Sequence, residues 1–341
     1  MASAPTQFKL RKLDTRVGPV ALVTMDNGGD WQKPNTFGEA ALRSLEGVLD
    51  QLRSRDWRGL LLTGKPFVFA VGADIGEFGE ITPDRARLGG RAGHELFGRI
   101  RELPFVSVAA INGAALGGGV EIALHCDYRT IASSVRHFAC PEVFLGLIPG
   151  WGGTQLVPQL VGADEAVMFI VENPLRQNRL LRARQAFEAG YADALFEPVE
   201  FLDDSLAFLL DKVEEGPGKR RPAADLSDVG EVCRKARSRL DGQVHGATPA
   251  PYRALDLIEG AATWSLDEAT APRRMRSQTS CPAGRPRRRS TRSTSSSAAR
   301  NAESGFPTWS RGAWRRSVSS ARGSWRGSSR YSSSAVSKCP S

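Results

Sequence analysis

Three consecutive glycines, Gly117-Gly118-Gly119, sit between an apolar stretch and a helical pattern. They constrain this chain more than any other feature. Val106–Ile111 is short and apolar and reads as a buried strand. It leads through Asn112-Gly113-Ala114-Ala115-Leu116 into the glycines, and Val120 to Cys126 then reads as the start of a helix. Residues without a Cβ let backbone come close to a ligand. A helix N-terminus offers N–H groups and a dipole that favours negative charge. A strand, a glycine turn and a helix in that order can therefore hold a developing oxyanion. The run is neither Gly-x-Gly-x-x-Gly nor a Walker loop, so nucleotide phosphate is not its natural ligand. Glu121 falls in the first helical turn, where a glutamate either compensates the dipole or faces whatever the turn binds.

Two further segments share this character. Phe67 to Ala70 reads as a strand that ends at Gly72-Ala73-Asp74. Alone it is an ordinary turn; beside the glycine run it can present backbone N–H groups at a strand end. Pro141 to Gln155 is rich in glycine and apolar residues, and Glu142 is the only charged residue from Phe138 to Gln155. A carboxylate buried in such surroundings is costly without a partner or a role; on a surface loop it would be unremarkable. Two carboxylates in apolar surroundings can divide acid and base work. His125 lies four residues after Glu121 and can share its helix face, but a packed histidine is the simpler reading. His94, His137 and His245 have no partner spacing, and Cys126, Cys140, Cys233, Cys281 and Cys339 form no zinc-ligand pattern. No metal site is expected.

The rest of the body alternates short strands with helices. Phe8–Leu13 and Val20–Met25 read as strands joined by a turn at Val17-Gly18-Pro19. Residues 34–55 read as an amphipathic helix with Leu42, Leu45, Val48, Leu49 and Leu52 on one face. Gly59–Thr63 reads as a buried strand, and a helix is predicted from about Arg85 to Arg101. Helical periodicity dominates from residue 164 to 271, as in Arg184–Ala189, Ser205–Val213, Val232–Leu240 and Tyr252–Ala262. The class is α/β. Val106 to Leu124 is broken by Asn112 and Glu121 and makes a poor membrane span. The N-terminus lacks a secretory pattern, so a cytoplasmic setting is expected.

In this order and spacing, the three segments resemble the enoyl-CoA hydratase (crotonase) family. The resemblance covers roughly residues 8–265. Asn173-Pro174-Leu175, Gln185-Ala186-Phe187, His245-Gly246-Ala247 and Tyr252-Arg253-Ala254-Leu255 are more similar to the hydratase part of multifunctional fatty-acid-oxidation alpha subunits. The resemblance implies a spiral of ββα units (residues 1–195) and a C-terminal helical region (196–271); composition alone points to a disordered tail (272–341). The resemblance also implies a carbon–oxygen lyase that adds water to trans-2-enoyl-CoA in fatty-acid β-oxidation, with a Δ3-Δ2-enoyl-CoA isomerase or an inactive truncated subunit as alternatives. By position, Glu121 and Glu142 would be catalytic. The N–H groups of Ala73 and Gly118 would form an oxyanion hole, and Gly72, Asp74, Gly117 and Gly150 would line the substrate. Coenzyme A enters as a thioester substrate, with no metal or redox cofactor. The family also implies a homo-oligomer, trimer or hexamer, or a subunit beside a thiolase-type partner.

The tail is chemically unlike the body. Of the 70 residues 272–341, 20 are Ser and 15 are Arg, with no Leu or Ile, and Glu303 is the single acid. The formal +9 of the chain is therefore a tail of +15 on a body of about −6. A basic tail ordinarily suggests nucleic acid. A shifted reading frame explains it better, because Ser (TCN) then hides an apolar residue. Shifted by one base, GC-rich codons for Arg316 to Arg330 can read Lys-Val-Gly-Val-Val-Gly-Ala-Gly-Leu-Met-Ala-Arg-Gln-Leu-Ala. That is a strand followed by the dinucleotide-binding pattern of a dehydrogenase. As written, the chain carries no NAD site. We expect the coding DNA to shift frame near residues 268–272 and to continue, one base over, into a Rossmann fingerprint. Early stop codons in that frame, or no fingerprint, would rule the shift out.

Overall fold

The computed structural model describes residues 4–29, 33–74, 83–216, 222–266 and 268. These all lie within one unit, Met1–Gln278. The expectations for the 272–341 tail fall outside the described residues.

The chain is built from repeated strand–strand–helix units. An antiparallel hairpin, β1 (Gln7–Thr15) and β2 (Gly18–Asp26), precedes α1 (Glu39–Arg53). Then come β3 (Gly59–Gly64), β4 (Phe67–Ala70) and α2 (Pro83–Arg101). The third unit is β5 (Val106–Ile111), β6 (Gly113–Leu116) and α3 (Gly118–Leu124). The fourth is β7 (Tyr128–Ala132), β8 (Phe138–Ala139), a 3-10 turn at Glu142–Leu145, and α4 (Gly153–Val161). Within each of the last three units, the first strand joins one sheet and the second joins another. The larger sheet has the order β1-β2-β3-β5-β7-β9, with β9 at Ala194–Phe196, and the smaller has the order β4-β6-β8.

β3, β5 and β7 are buried along their whole length, as parallel strands covered on both faces require. Unbroken apolar runs such as Gly59-Leu60-Leu61-Leu62 follow from this. α8 (Phe201–Glu215) lies against β3 and β5. Beyond α4 the chain forms α5 (Ala163–Val167), a π turn at Met168–Glu172 and the single turn α6 (Asn173–Leu175), then α7 (Ala183–Glu188). α9 (Val229–Val244) and α10 (Ala250–Gly260) close the order, with α10 seated against α4 and α9.

The chain turns from one sheet to the other at sharp corners. At the β5–β6 corner a Cβ on Gly113 would lie 2.1 Å from the carbonyl of Phe67. No side chain fits there, because the corner of one unit nests on the corner of the next. Asn112 ties the same two corners together: its Nδ2 donates to the carbonyls of Gly64 (3.0 Å) and Lys65 (2.8 Å). Its Oδ1 accepts from the Gly64 N–H at 3.2 Å.

Two predicted boundaries move. The first helix begins at Glu39 rather than residue 34, because residues 35–37 are already committed elsewhere. Phe37 N–H donates to Gly72 C=O at 2.9 Å and Phe37 C=O accepts from Asp74 N–H at 3.1 Å. The glycine helix starts at Gly118, two residues before Val120, so two of its glycines are helical. The nested corner predicts that Gly113→Ala destabilises the protein by about 3 kcal/mol, the upper range for an overpacked site. Urea unfolding checks this.

Candidate active site

The small sheet sets the site. Its strands are parallel, with Phe67 opposite Gly113 and Ala115 opposite Phe138. The three segments that follow them therefore emerge side by side. Gly72-Ala73 leaves β4, Gly117-Gly118 leaves β6, and Pro141-Glu142 leaves β8.

Gly72 and Gly118 are in contact. A Cβ on Gly72 would lie 3.1 Å from the Gly118 nitrogen, and one on Gly118 would lie 3.4 Å from Gly72 Cα. The bonds that Phe37 makes to Gly72 and Asp74 turn the N–H of Ala73, the residue between them, away from Phe37. Neither the Ala73 N–H nor the Gly118 N–H donates to a described protein atom. Two adjacent, unused donors thus lie at neighbouring strand ends. Gly117 has φ +52°, and a Cβ there would lie 2.7 Å from Glu142 Oε1. Only glycine suits that left-handed, crowded position.

The two glutamates have different surroundings. Glu121 is 2% exposed. Its Oε1 accepts the N–H groups of Trp151 (2.8 Å) and Gly153 (2.9 Å). Burial pushes its pKa up to about 7, and those two N–H bonds pull against the rise. Glu142 opens the 3-10 turn with part of its surface reaching solvent, but its Oε2 is buried without a hydrogen-bond partner. Burial, then the charge of Glu121, raise its pKa well above the ordinary carboxylate range. The N–H groups of Trp151 and Gly153 favour the charged form of Glu121.

Six of the eight residues singled out from the sequence converge: Gly72, Ala73, Gly117, Gly118, Glu121 and Glu142. Asp74 instead fastens its own loop, accepting from Thr36 Oγ1 at 3.2 Å. Gly150 is exposed on the approach to Trp151. Sequence reasoning did not single out Trp151 and Gly153, which act through backbone N–H groups. The Trp151 indole lies against Gly118, where a Cβ would meet Cζ3 at 2.3 Å. It is held by Phe97 (ring centroids 5.2 Å apart) and Phe37 (6.0 Å). No group of three or more His, Cys, Asp or Glu suited to a metal ion occurs among the described residues. Nor is any described helix long and apolar enough to cross a membrane.

Two carboxyls in apolar surroundings beside two unused backbone donors are an arrangement suited to receiving a developing oxyanion. The comparisons agree in class. The enoyl-CoA hydratase/isomerase family matches residues 16–219, and the chain belongs to that family. It is 34% identical over 248 residues to the fatty acid oxidation complex subunit alpha of Pseudomonas syringae pv. tomato, covering 69% of this chain and 33% of that one. The same subunit of Idiomarina loihiensis is 32% identical over 239 residues, covering 67% and 32%. The chain therefore spans about a third of the length of the curated relatives it matches. Pseudomonas aeruginosa DspI superposes with TM-score 0.54 at 29% identity, covering 74% of this chain and 96% of that one. An enoyl-CoA hydratase from Bacillus anthracis superposes with TM-score 0.54 at 24% identity, covering 75% and 89%, and shares the fold. The expected crotonase fold is the one observed.

A carboxyl whose pKa is raised in the folded state binds its proton more tightly there than in the unfolded chain. Its contribution to stability is complete below the unfolded value and is lost as pH rises through the folded one. For Glu121 that window runs from the ordinary carboxylate value of 4.5 to about 7. Urea unfolding should show wild-type stability falling across this window. Glu121→Gln, which keeps an acceptor for Trp151 and Gly153, should flatten the fall.

Proposed function

We propose that this chain adds water across the C2=C3 bond of a trans-2-enoyl-CoA thioester, giving the 3-hydroxyacyl-CoA, in fatty-acid β-oxidation. The observation that carries the reading is the pairing of Glu121, buried on two N–H donors from a neighbouring turn, with Glu142, whose Oε2 is buried without a partner.

The chemistry follows from that inequality. Glu121 carries the charge and takes a proton from water as its oxygen bonds to C3. Glu142 carries the proton and delivers it to C2. As the water adds, negative charge builds on the thioester oxygen. The N–H groups of Ala73 and Gly118 receive that charge, an arrangement worth about 3 kcal/mol per donor in comparable oxyanion holes. Proton transfer from Glu121 to Glu142 resets the pair. Gly72 and Gly117 contribute by leaving room for the thioester. The reaction involves no net oxidation, so the proposal calls for no metal or redox cofactor. It places the chain in the cytoplasm. It also places it in an assembly, a homo-oligomer or a subunit beside a thiolase-type partner, in keeping with the relatives' description as subunits of a complex.

The test is loss of enoyl-thioester absorbance with purified protein. Glu121→Gln and Glu142→Gln should each lower kcat by about 10²–10⁴-fold, and removal of residues 272–341 should leave activity in place. Persisting hydration in the double variant overturns the reading. Isomerisation of a 3-enoyl thioester without hydration assigns the site to a double-bond isomerase instead.

A further inference from the structure

We propose that His125 is a positioning residue whose imidazole holds the Trp151–Gly153 turn in the conformation that presents two N–H groups to Glu121.

His125 sits at the C-terminal end of α3, four residues after Glu121, and is fully buried. Its Nε2 lies 2.8 Å from the Trp151 carbonyl oxygen. A carbonyl only accepts, so Nε2 carries the hydrogen and donates. Gly152, at φ +111°, lies directly on the ring: a Cβ there would be 2.9 Å from Nε2. The residues on either side of Gly152 supply the N–H groups that reach Glu121 Oε1. One helix thus grips the turn twice, by accepting from its amides at Glu121 and by donating to its carbonyl at His125.

A purely space-filling role does not account for a histidine here. Nδ1 is buried without a hydrogen-bond partner, a cost that leucine or methionine at the same place would avoid. Phe97 packs edge-on to the ring, with centroids 5.9 Å apart. Burial lowers the imidazole pKa to about 3, and the nearby Arg101 and His94 push the same way. The ring therefore stays neutral and keeps a single donor, which the Trp151 carbonyl uses.

The kinetic part of the test rests on the hydratase reading; the spectroscopic part does not. His125→Leu removes the donor, and His125→Gln can restore one at a similar reach. We expect kcat to fall about tenfold in the Leu variant with KM within about twofold, as for loss of one buried hydrogen bond, and to recover in the Gln variant. The Trp151 and Gly153 amide proton resonances should move upfield in the Leu variant and return in the Gln variant. A folded Leu variant with wild-type kcat and wild-type amide shifts overturns the proposal. So does a Gln variant that falls as far as Leu at equal thermal stability. If the Leu variant does not fold, imidazole nitrogen shifts of the wild type decide, and an Nδ1–H tautomer overturns the assignment. If wild-type protein fails to hydrate enoyl-CoA, the hydratase reading fails alone, and the amide shifts still report on His125.

Discussion

The parallel pairing of three very short strands, β4, β6 and β8, is the constraint on which the site depends. Each strand has two to four residues and would be marginal alone. Their register is fixed at the corners, where Gly113 nests on Phe67 and Asn112 bridges Gly64 and Lys65. A slip of one residue would shift the segments that carry the Ala73 and Gly118 donors past one another. The corners thus act on a site several residues away, by deciding which backbone groups face it.

The site also concentrates cost. Two carboxyls share apolar surroundings: Glu121 accepts two N–H groups from a neighbouring turn, whereas Glu142 keeps a buried Oε2 with no partner. An ion in that position is stable only if the surrounding backbone stands in for water. The turn at Trp151–Gly153 does this with two N–H groups, so the carboxylate of the third unit is supported by the fourth. The aromatic group of Phe37, Phe97 and Trp151 holds that turn against the glycine helix. The geometry is consequently shared by all four units, and no single unit could hold it alone.

Much of this was legible in the sequence, for unequal physical reasons. β5 was predicted as Val106–Ile111 and found there, and β3 and β4 were found within a residue, because fully buried parallel strands write continuous apolar runs. β6 was not predicted. Gly113-Ala114-Ala115-Leu116 is too short and too poor in β-branched residues to signal a strand. β8 has two residues, and β9 has three in a stretch dominated by helices. Glu121 and Glu142 could be read because a charge in an apolar, glycine-rich stretch is conspicuous. The amides of Trp151 and Gly153 left no such trace, since every residue but proline has one. His125 was legible only as a packed histidine. It is packed, and its hydrogen bond to a loop 26 residues away had no sequence signal.

The support for the site reaches further along the chain than its functional groups do. All of them lie between Gly72 and Gly153, yet α4, which opens at Gly153, is held from outside that span. Gln155 Nε2 donates to the Leu257 carbonyl at 2.6 Å, and α10 lies along α4 with Ala254, Leu255 and Ile258 buried. Stripping α10 would bare the back of α4 and loosen its first turn, where Gly153 meets Glu121. α10 is therefore part of the packing that supports Glu121 and the turn that opens at Glu142. The packing continues past Gly260, where the Trp264 ring lies on that glycine and Leu266 meets the core, so the electrostatics of Glu121 depend on a segment more than 100 residues further along the chain.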